Sequence, residues 1–367
     1  MAKINTTVLG AGNMGTALAQ ILALRGHRAA LWDYESRTVE VIARTGKNER
    51  FLPGVKLSKN IVPEASMERA VENAALVIVA CASPYVRQTV RKLAQCLIPS
   101  PGLRPPSPRG RGEGEGRRLV IAHVVKGLEA KTNLTMHEVV QSELPAALRR
   151  RVVTISGPSI AKELVRGVPT AVVAASQDKK ARELVRDVFT SSTFKVAVSA
   201  DWKGVGICGG LKNVYAIALG MCDGYTRKTT KGYRWSDTKY HEIGLPMNMK
   251  AFMFTLAVAE MEQVVVALGG KAITVHGLAG VGDLVVTGLG DGRNRALGER
   301  ICKEGHCKFV WQKSSQTHEG VAATKVFFDL ARRKKVKAPL LNLVCRVLYR
   351  GADPCKEIKK FFADTAL

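Results

Sequence analysis

The sequence predicts an α/β domain built on a doubly wound parallel sheet, followed by an all-α domain. Three observations carry that expectation. At 367 residues the chain exceeds the usual size of one hydrophobic core, so two domains are the natural division. Strand-like and helix-like segments alternate through the first half, the pattern of βαβ units. After residue 198 the strand signal fades and apolar residues recur at helical spacing. The expected domains are therefore 1–198 and 199–367.

Residues 4–9 (INTTVL) read as a strand, GAGNMG as a turn, Thr16 to Leu24 as a helix and Arg28 to Trp32 as a second strand. Further strands are expected at Ala75 to Ala80, Leu119 to Val125, Val152 to Ile155 and Ala171 to Ala175. Residues 99–118 are nearly devoid of apolar side chains and dense in Pro, Gly, Arg and Glu, which predicts a disordered insertion. Helices are expected at Val205 to Met221, Met249 to Ala267, Arg295 to Lys303, Val321 to Arg332 and Leu340 to Tyr349. Between the first two lies a basic loop, Tyr225 to Leu245, that mixes Lys and Arg with Tyr, Trp and His.

Composition narrows the function. A hydrophobic share of 46% and a charged share of 24% are those of an ordinary globular protein. Apolar runs such as Ala74 to Ala82 fall short of the roughly 20 residues that span a bilayer, so no membrane insertion is expected. The start shows no export signal and the end no peroxisomal address, which places the chain in the cytoplasm by expectation. Eight cysteines without a CxxC pair read as reduced thiols, and the scattered histidines form no ligand cluster, so no metal is expected. The net charge of +25 admits nucleic acid, an anionic membrane or a small anionic substrate. Acids are interspersed among the bases, and the arginine-rich insertion holds two glutamates and no aromatic for stacking. A basic solvated surface is therefore favoured over nucleic-acid binding.

Chemistry gathers in a few places. Gly10, Gly12 and Gly15 form GxGxxG between a strand and a helix. The first permits a tight turn, the second lets the backbone approach a pyrophosphate, and the third lets helix and strand pack closely. Asp33 ends the second strand, where a carboxylate can accept hydrogen bonds from ribose hydroxyls and repel a 2′-phosphate. NAD(H) is therefore the favoured cofactor, with Arg37 nearby keeping NADP(H) open as the alternative. Lys126 follows a strand, where ligands collect, and Lys212 lies in the apolar helix GGLKNV, where a lysine either works, pairs or snorkels to solvent. The stretch from Gly277 supplies Asp283, Thr287, Arg293, Asn294 and Arg295 ahead of a helix. Such a set suits phosphate capture, and equally helix capping by Asp291 and Asn294.

Taken together, GAGNMGTALA, NxxFLPGVKL from Asn48, VKGLE from Val125, SGPSIAKE from Ser156, GGLKNVYAIALG from Gly209, NMKAF from Asn248, GLAGVGDLVVT from Gly277, GRNR from Gly292 and HEGVAAT from His318 resemble NAD(P)-dependent glycerol-3-phosphate dehydrogenases over nearly the whole chain. The resemblance implies a Rossmann-type domain and a helical substrate domain in a cytosolic homodimer that reduces dihydroxyacetone phosphate for phospholipid synthesis. It implies that Lys212 is the general acid and base, with Lys126, Asp283 and Thr287 around the reacting oxygen. In that arrangement a second lysine tunes Lys212 toward neutral pH and the aspartate orients it. Gly157, Ser159, Asn213, Arg293 and Asn294, with Lys126 and Lys212, are the implied substrate contacts. Gly10, Ala11, Gly12, Asn13, Met14, Gly15, Asp33, Lys126, Ala161, Arg293 and Glu319 are the implied cofactor contacts.

The sequence also departs from the family. Val205-Gly206 stands where a carboxylate is usual, Thr255-Leu256-Ala257 replaces Thr-Arg-Gly, and the segments 99–118 and 225–245 are atypical. A related β-hydroxyacid dehydrogenase, or a basic nucleic-acid-binding protein that kept the fold, are the competing readings. The adjacency of Lys212 and Asn213 and the GRNR motif argue against the first.

Overall fold

The computed structural model describes residues 2–97, 119–229, 247–305 and 318–365. The expected insertion at 99–118 and most of the basic loop at 225–245 lie outside the described residues. The chain divides into two compact units, Met1–Glu129 with Leu134–Trp202, and Ala130–Asn133 with Lys203–Leu367.

Unit 1 carries eight strands: β1 Asn5–Leu9, β2 Arg28–Trp32, β3 Ile61–Pro63, β4 Leu76–Val79, β5 Val120–His123, β6 Val152–Ser156, β7 Thr170–Ala175 and β8 Phe194–Ser199. Its helices are α1 Asn13–Leu24, α2 Ser36–Thr45, α3 Met67–Val71, α4 Val86–Leu97, α5 Met136–Glu143, α6 Ala146–Arg149, α7 Ala161–Leu164 and α8 Lys179–Phe189. The strands form one sheet in the order β3-β2-β1-β4-β5-β6-β7-β8. Neighbours run parallel except β6 and β7, which are antiparallel. The doubly wound expectation holds, with β3, β8 and the reversal at β7 as additions.

Successive residues of one strand feed opposite faces of the sheet. Val8, Leu31, Ile78 and Val153 pack in one core; Leu9, Trp32, Val79 and Val152 pack in the other. Both faces are covered, which is why these strands read as continuous apolar runs rather than alternating ones. The order reverses between β1 and β4, and that switch is where the glycine turn after β1 opens.

Unit 2 is helical among its described residues: α9 Trp202–Thr229, α10 Met247–Ala267, α11 Ala272–Val275, a π-turn at Leu278–Gly282, α12 Asp283–Gly288, α13 Arg293–Glu304, α14 Glu319–Arg333, α15 Pro339–Arg350 and α16 Pro354–Asp364. Trp202, the first residue of α9, is counted with unit 1. α9 is long and apolar enough to cross a membrane, but 94% of its apolar window is buried inside the protein. It is a core helix, apolar on every side because other helices surround it.

The expected loop at 225–245 needs correcting at its start, because α9 continues to Thr229. Thr226 Oγ1 donates to Cys222 O, and Arg227 pairs with Glu299 at 3.0 Å, which keeps this polar stretch helical. The departures at Val205-Gly206 and Thr255–Ala257 fall inside α9 and α10 without breaking either helix.

Candidate active site

In unit 1 the three glycines of the turn have three distinct environments. Gly10 has φ +119°, a conformation that L side chains rarely adopt, and a Cβ there would lie 2.9 Å from the Ala80 backbone. A Cβ on Gly15 would lie 1.9 Å from Gly10 O, so α1 sits against the turn with no room for a side chain. Around Gly12 there is nothing within 4 Å of such a Cβ. That open side is flanked by the N-terminus of α1, which has no side-chain cap. The residues present therefore fit a dinucleotide pyrophosphate: an uncapped helix end, open space and backbone within reach.

The turn is held from outside. Asp33 Oδ2 accepts from Ala11 N at 2.6 Å and its Oδ1 accepts from Glu35 N at 3.0 Å, which fixes the carboxylate at the end of β2. Each oxygen keeps a further lone pair for a ribose hydroxyl. Asn48 is buried, and its Nδ2 donates to Ala11 O and to Thr16 Oγ1, both at 2.8 Å. In the sequence Asn48 stands only at the head of the NxxFLPGVKL motif, and no local pattern marks it as a brace for the turn.

Lys126 Nζ donates to Gly157 O at 3.4 Å, and Ser159 Oγ donates to the same carbonyl at 3.2 Å. Met14, Lys126, Ser156 and Ser159 line one small cavity. Asn13 is the first residue of α1 and Ala161 the first of α7. Behind Lys126 runs a chain of polar groups that sequence spacing does not reveal. The carbonyl of Val125 can only accept, so the proton it receives at 3.2 Å comes from His123 Nδ1. His123 Nε2 is then an acceptor for Thr154 Oγ1–H at 2.9 Å, and Thr154 Oγ1 accepts from His137 Nδ1–H at 2.8 Å. Burial pushes His123 down to about 4 and His137 well below the usual imidazole value, so both rings are neutral. His137 stacks on Trp202 at 4.3 Å.

Unit 2 holds the second group. Lys212 Nζ donates to Asp283 Oδ1 at 2.5 Å and to Thr287 Oγ1 at 3.0 Å. Its side chain is 6% exposed, so the ammonium does not snorkel to solvent. Asp283 follows the π-turn directly; a Cβ on Gly280 would lie 2.0 Å from Val275 O, so only glycine admits this bend.

One residue on, Asn213 Nδ2 donates to Glu319 Oε2 at 3.3 Å, and its Oδ1 accepts from Asn294 Nδ2 at 3.0 Å. Asn294 Oδ1 in turn accepts from Gly320 N at 3.3 Å. Capping of α13 by Asp291 and Asn294 is not found: its N-cap is Gly292 with no side-chain bond, and Asn294 is spent on Asn213. Arg293 is exposed at that uncapped helix end, and its charge helps lower His318, whose main depressing cause is burial. Arg295, two residues on, is committed elsewhere, donating from Nη1 to the buried Asp223 Oδ2 at 2.6 Å, while Lys250 holds Asp223 Oδ1 at 2.5 Å.

A nucleotide-fitting turn in one unit and a buried lysine beside an uncapped, arginine-bearing helix in the other are what a dehydrogenase of phosphorylated substrates needs. Residues 5–182 match the NAD-dependent glycerol-3-phosphate dehydrogenase N-terminus, and residues 201–359 match its C-terminus. The chain belongs to this family. It is thereby an NAD(P)-dependent oxidoreductase of the glycerol-3-phosphate dehydrogenase class.

Among its relatives, the glycerol-3-phosphate dehydrogenase [NAD(P)+] of Moorella thermoacetica is 36% identical over 350 residues, covering 95% of this chain and 92% of that protein. The enzyme of the same name from Anaeromyxobacter dehalogenans is 34% identical over 352 residues, covering 96% and 95%. The crystal structure of glycerol-3-phosphate dehydrogenase from Coxiella burnetii superposes with TM-score 0.80 at 30% identity, over 98% of this chain and 99% of that one. Among the described residues no group of three or more His, Cys, Asp or Glu is placed to hold a metal ion.

Proposed function

We propose that the chain interconverts dihydroxyacetone phosphate and sn-glycerol 3-phosphate, with Lys212 as general acid and base and NAD(H) favoured over NADP(H). The observation that carries this reading is the buried Lys212 ammonium, 2.5 Å from Asp283 and 3.0 Å from Thr287. Gly10, Ala11, Gly12, Asn13, Met14, Gly15 and Asp33 would hold the dinucleotide, with Ala161 and Glu319 among the further contacts. When bound, the nicotinamide supplies or takes up the hydride.

Hydride addition turns the substrate ketone into an alkoxide. Lys212 meets that charge as a cation and then gives up a proton to the oxygen; in oxidation, the neutral amine takes it back. Asp283 and Thr287 fix the ammonium in place, a preorganisation that costs no rearrangement during the reaction. In the same reading Lys126 offers a second cation to that oxygen, with Gly157 and Ser159 beside it. Arg293, with Asn213, Asn294 and the free N–H groups at the start of α13, takes the phosphate, since a guanidinium and a helix N-terminus both favour an oxyanion. Asp33 disfavours a 2′-phosphate by charge, which supports the NAD(H) preference. A cytoplasmic homodimer supplying phospholipid synthesis is the setting that goes with this reading.

The test is NADH oxidation by the purified protein with dihydroxyacetone phosphate, repeated with NADPH and with unphosphorylated dihydroxyacetone. Turnover that needs the phosphate and is faster with NADH is the expected result. Equal rates with and without phosphate would remove the assignment of Arg293 and α13.

A further inference from the structure

Cys302 sits in the last turn of α13 and Cys355 in the first turn of α16, 53 positions apart in sequence. Their Sγ atoms lie 3.3 Å apart. The Cys355 thiol also points at the Cys302 carbonyl, at 3.7 Å. A disulfide needs about 2.05 Å between sulfurs, so side-chain rotation over little more than 1 Å closes the gap. The two sulfurs differ in access: Cys302 is wholly buried, while Cys355 is half-buried. Cys302 also has little freedom to withdraw, because a Cβ on Gly224 of α9 would lie only 2.6 Å from its own Cβ.

We propose that Cys302 and Cys355 are a modification site, a thiol pair that a small disulfide oxidant such as glutathione disulfide converts to an intramolecular disulfide. The half-buried Cys355, as thiolate, attacks one sulfur of the oxidant and expels one glutathione thiolate. Cys302 then loses its proton and attacks the Cys355 sulfur of the mixed disulfide, releasing the second glutathione. Two protein thiols are oxidised, one oxidant disulfide is reduced to two thiols, and the electrons balance. Burial and the neighbouring sulfur push the Cys302 thiol well above the usual thiol range, which makes its attack the slow step and quickens it as pH rises. The product ties the carboxy-terminal helix to the helix that begins at Arg293.

The experiment incubates the full chain with glutathione disulfide under native conditions, blocks remaining thiols, and maps peptides by mass spectrometry before and after reduction. The expected product is a Cys302–Cys355 cross-linked peptide, a mass loss of two hydrogens, and a melting temperature raised by several degrees that dithiothreitol reverses. The Cys355→Ser chain should form no such cross-link. A glutathione adduct that persists on Cys355, a cross-link from Cys355 to Cys307 instead, or an unmodified pair in folded protein would each overturn the proposal.

Discussion

The Lys212 ammonium nitrogen lies 2.5 Å from Asp283 Oδ1 with both side chains buried, so removing either charge takes a close counterion from the other. Lys212→Ala is expected to lower kcat by about 10³-fold or more while NADH still binds. It should also lower stability by about 3–5 kcal/mol, because a buried carboxylate loses the cation 2.5 Å from it. Adding Asp283→Asn should restore much of the stability and none of the activity. Turnover, NADH fluorescence titration and urea unfolding separate these effects, and a Lys212→Ala enzyme with near-normal kcat would refute the assignment.

The glycine turn allows a sharper contrast. Gly12→Ala meets nothing within 4 Å, whereas Gly15→Ala drives a methyl to 1.9 Å from Gly10 O. Gly12→Ala should fold and melt like the parent but bind NADH at least tenfold more weakly, since its methyl enters the space assigned to the pyrophosphate. Gly15→Ala should be severely destabilised. Calorimetry with NADH and thermal melts distinguish the two, and undiminished NADH binding by Gly12→Ala would argue against the cofactor site.

For Arg293, exposed at the start of α13, the expected loss is specific to one substrate. Arg293→Ala should raise KM for dihydroxyacetone phosphate by about 10–100-fold, the value of one or two charge-assisted hydrogen bonds, with little change for unphosphorylated dihydroxyacetone. Steady-state kinetics on both ketones check this; equal losses on both would point to a structural role.

Glu260 concerns stability against pH. Its carboxylate accepts from Leu340 N at 2.7 Å, Leu341 N at 2.8 Å and the Tyr215 hydroxyl at 3.1 Å, yet burial outweighs these bonds and pushes it up from 4.5 to about 7. A folded value above the unfolded one means that the native state holds the proton more tightly. Its contribution is then complete below about pH 4.5 and fades as pH rises through 7. Relative to Glu260→Gln, the parent chain should lose on the order of 3 kcal/mol across that window. Unfolding curves from pH 4.5 to 8 test it, and parallel pH profiles for the two chains would show that Glu260 does not titrate there.

Much of this was legible in local pattern. The glycine turn, Asp33 and the long strands announce themselves because each depends on neighbours in sequence. What escaped depends on distant partners. β3 is three residues long and ends in Pro63, too short to show a period. β8 alternates buried Phe194 and Val196 with exposed Lys195 and Ala197, but over so few residues that it merged with the boundary. The reversal of β7 leaves no local mark at all. At the site, spacing leaves open whether Lys212 works, pairs or reaches solvent, and the partner that keeps it from solvent is 71 positions away. Asn48 bracing Ala11 and the His123–Thr154–His137 chain are of the same kind, polar groups whose purpose shows only when the strands and loops meet.

The pairing of α9 with α13 bears on what the enzyme can accept. A Cβ on Gly220 would lie 1.9 Å from Arg295 O, and one on Gly298 would lie 2.0 Å from Ile217 O, so the two helices meet backbone to backbone. Lys212 rides on one of them and Arg293 opens the other. Where these glycines bring the backbones together no side chain intervenes, so the separation between Lys212 and the start of α13 is set by the backbone as a fixed gauge. If Lys212 is the proton donor and Arg293 takes the phosphate, as proposed, such a gauge measures its ligand by length, admitting a short chain whose oxygen and phosphate span the gap and turning away a longer sugar phosphate that carries the same two groups.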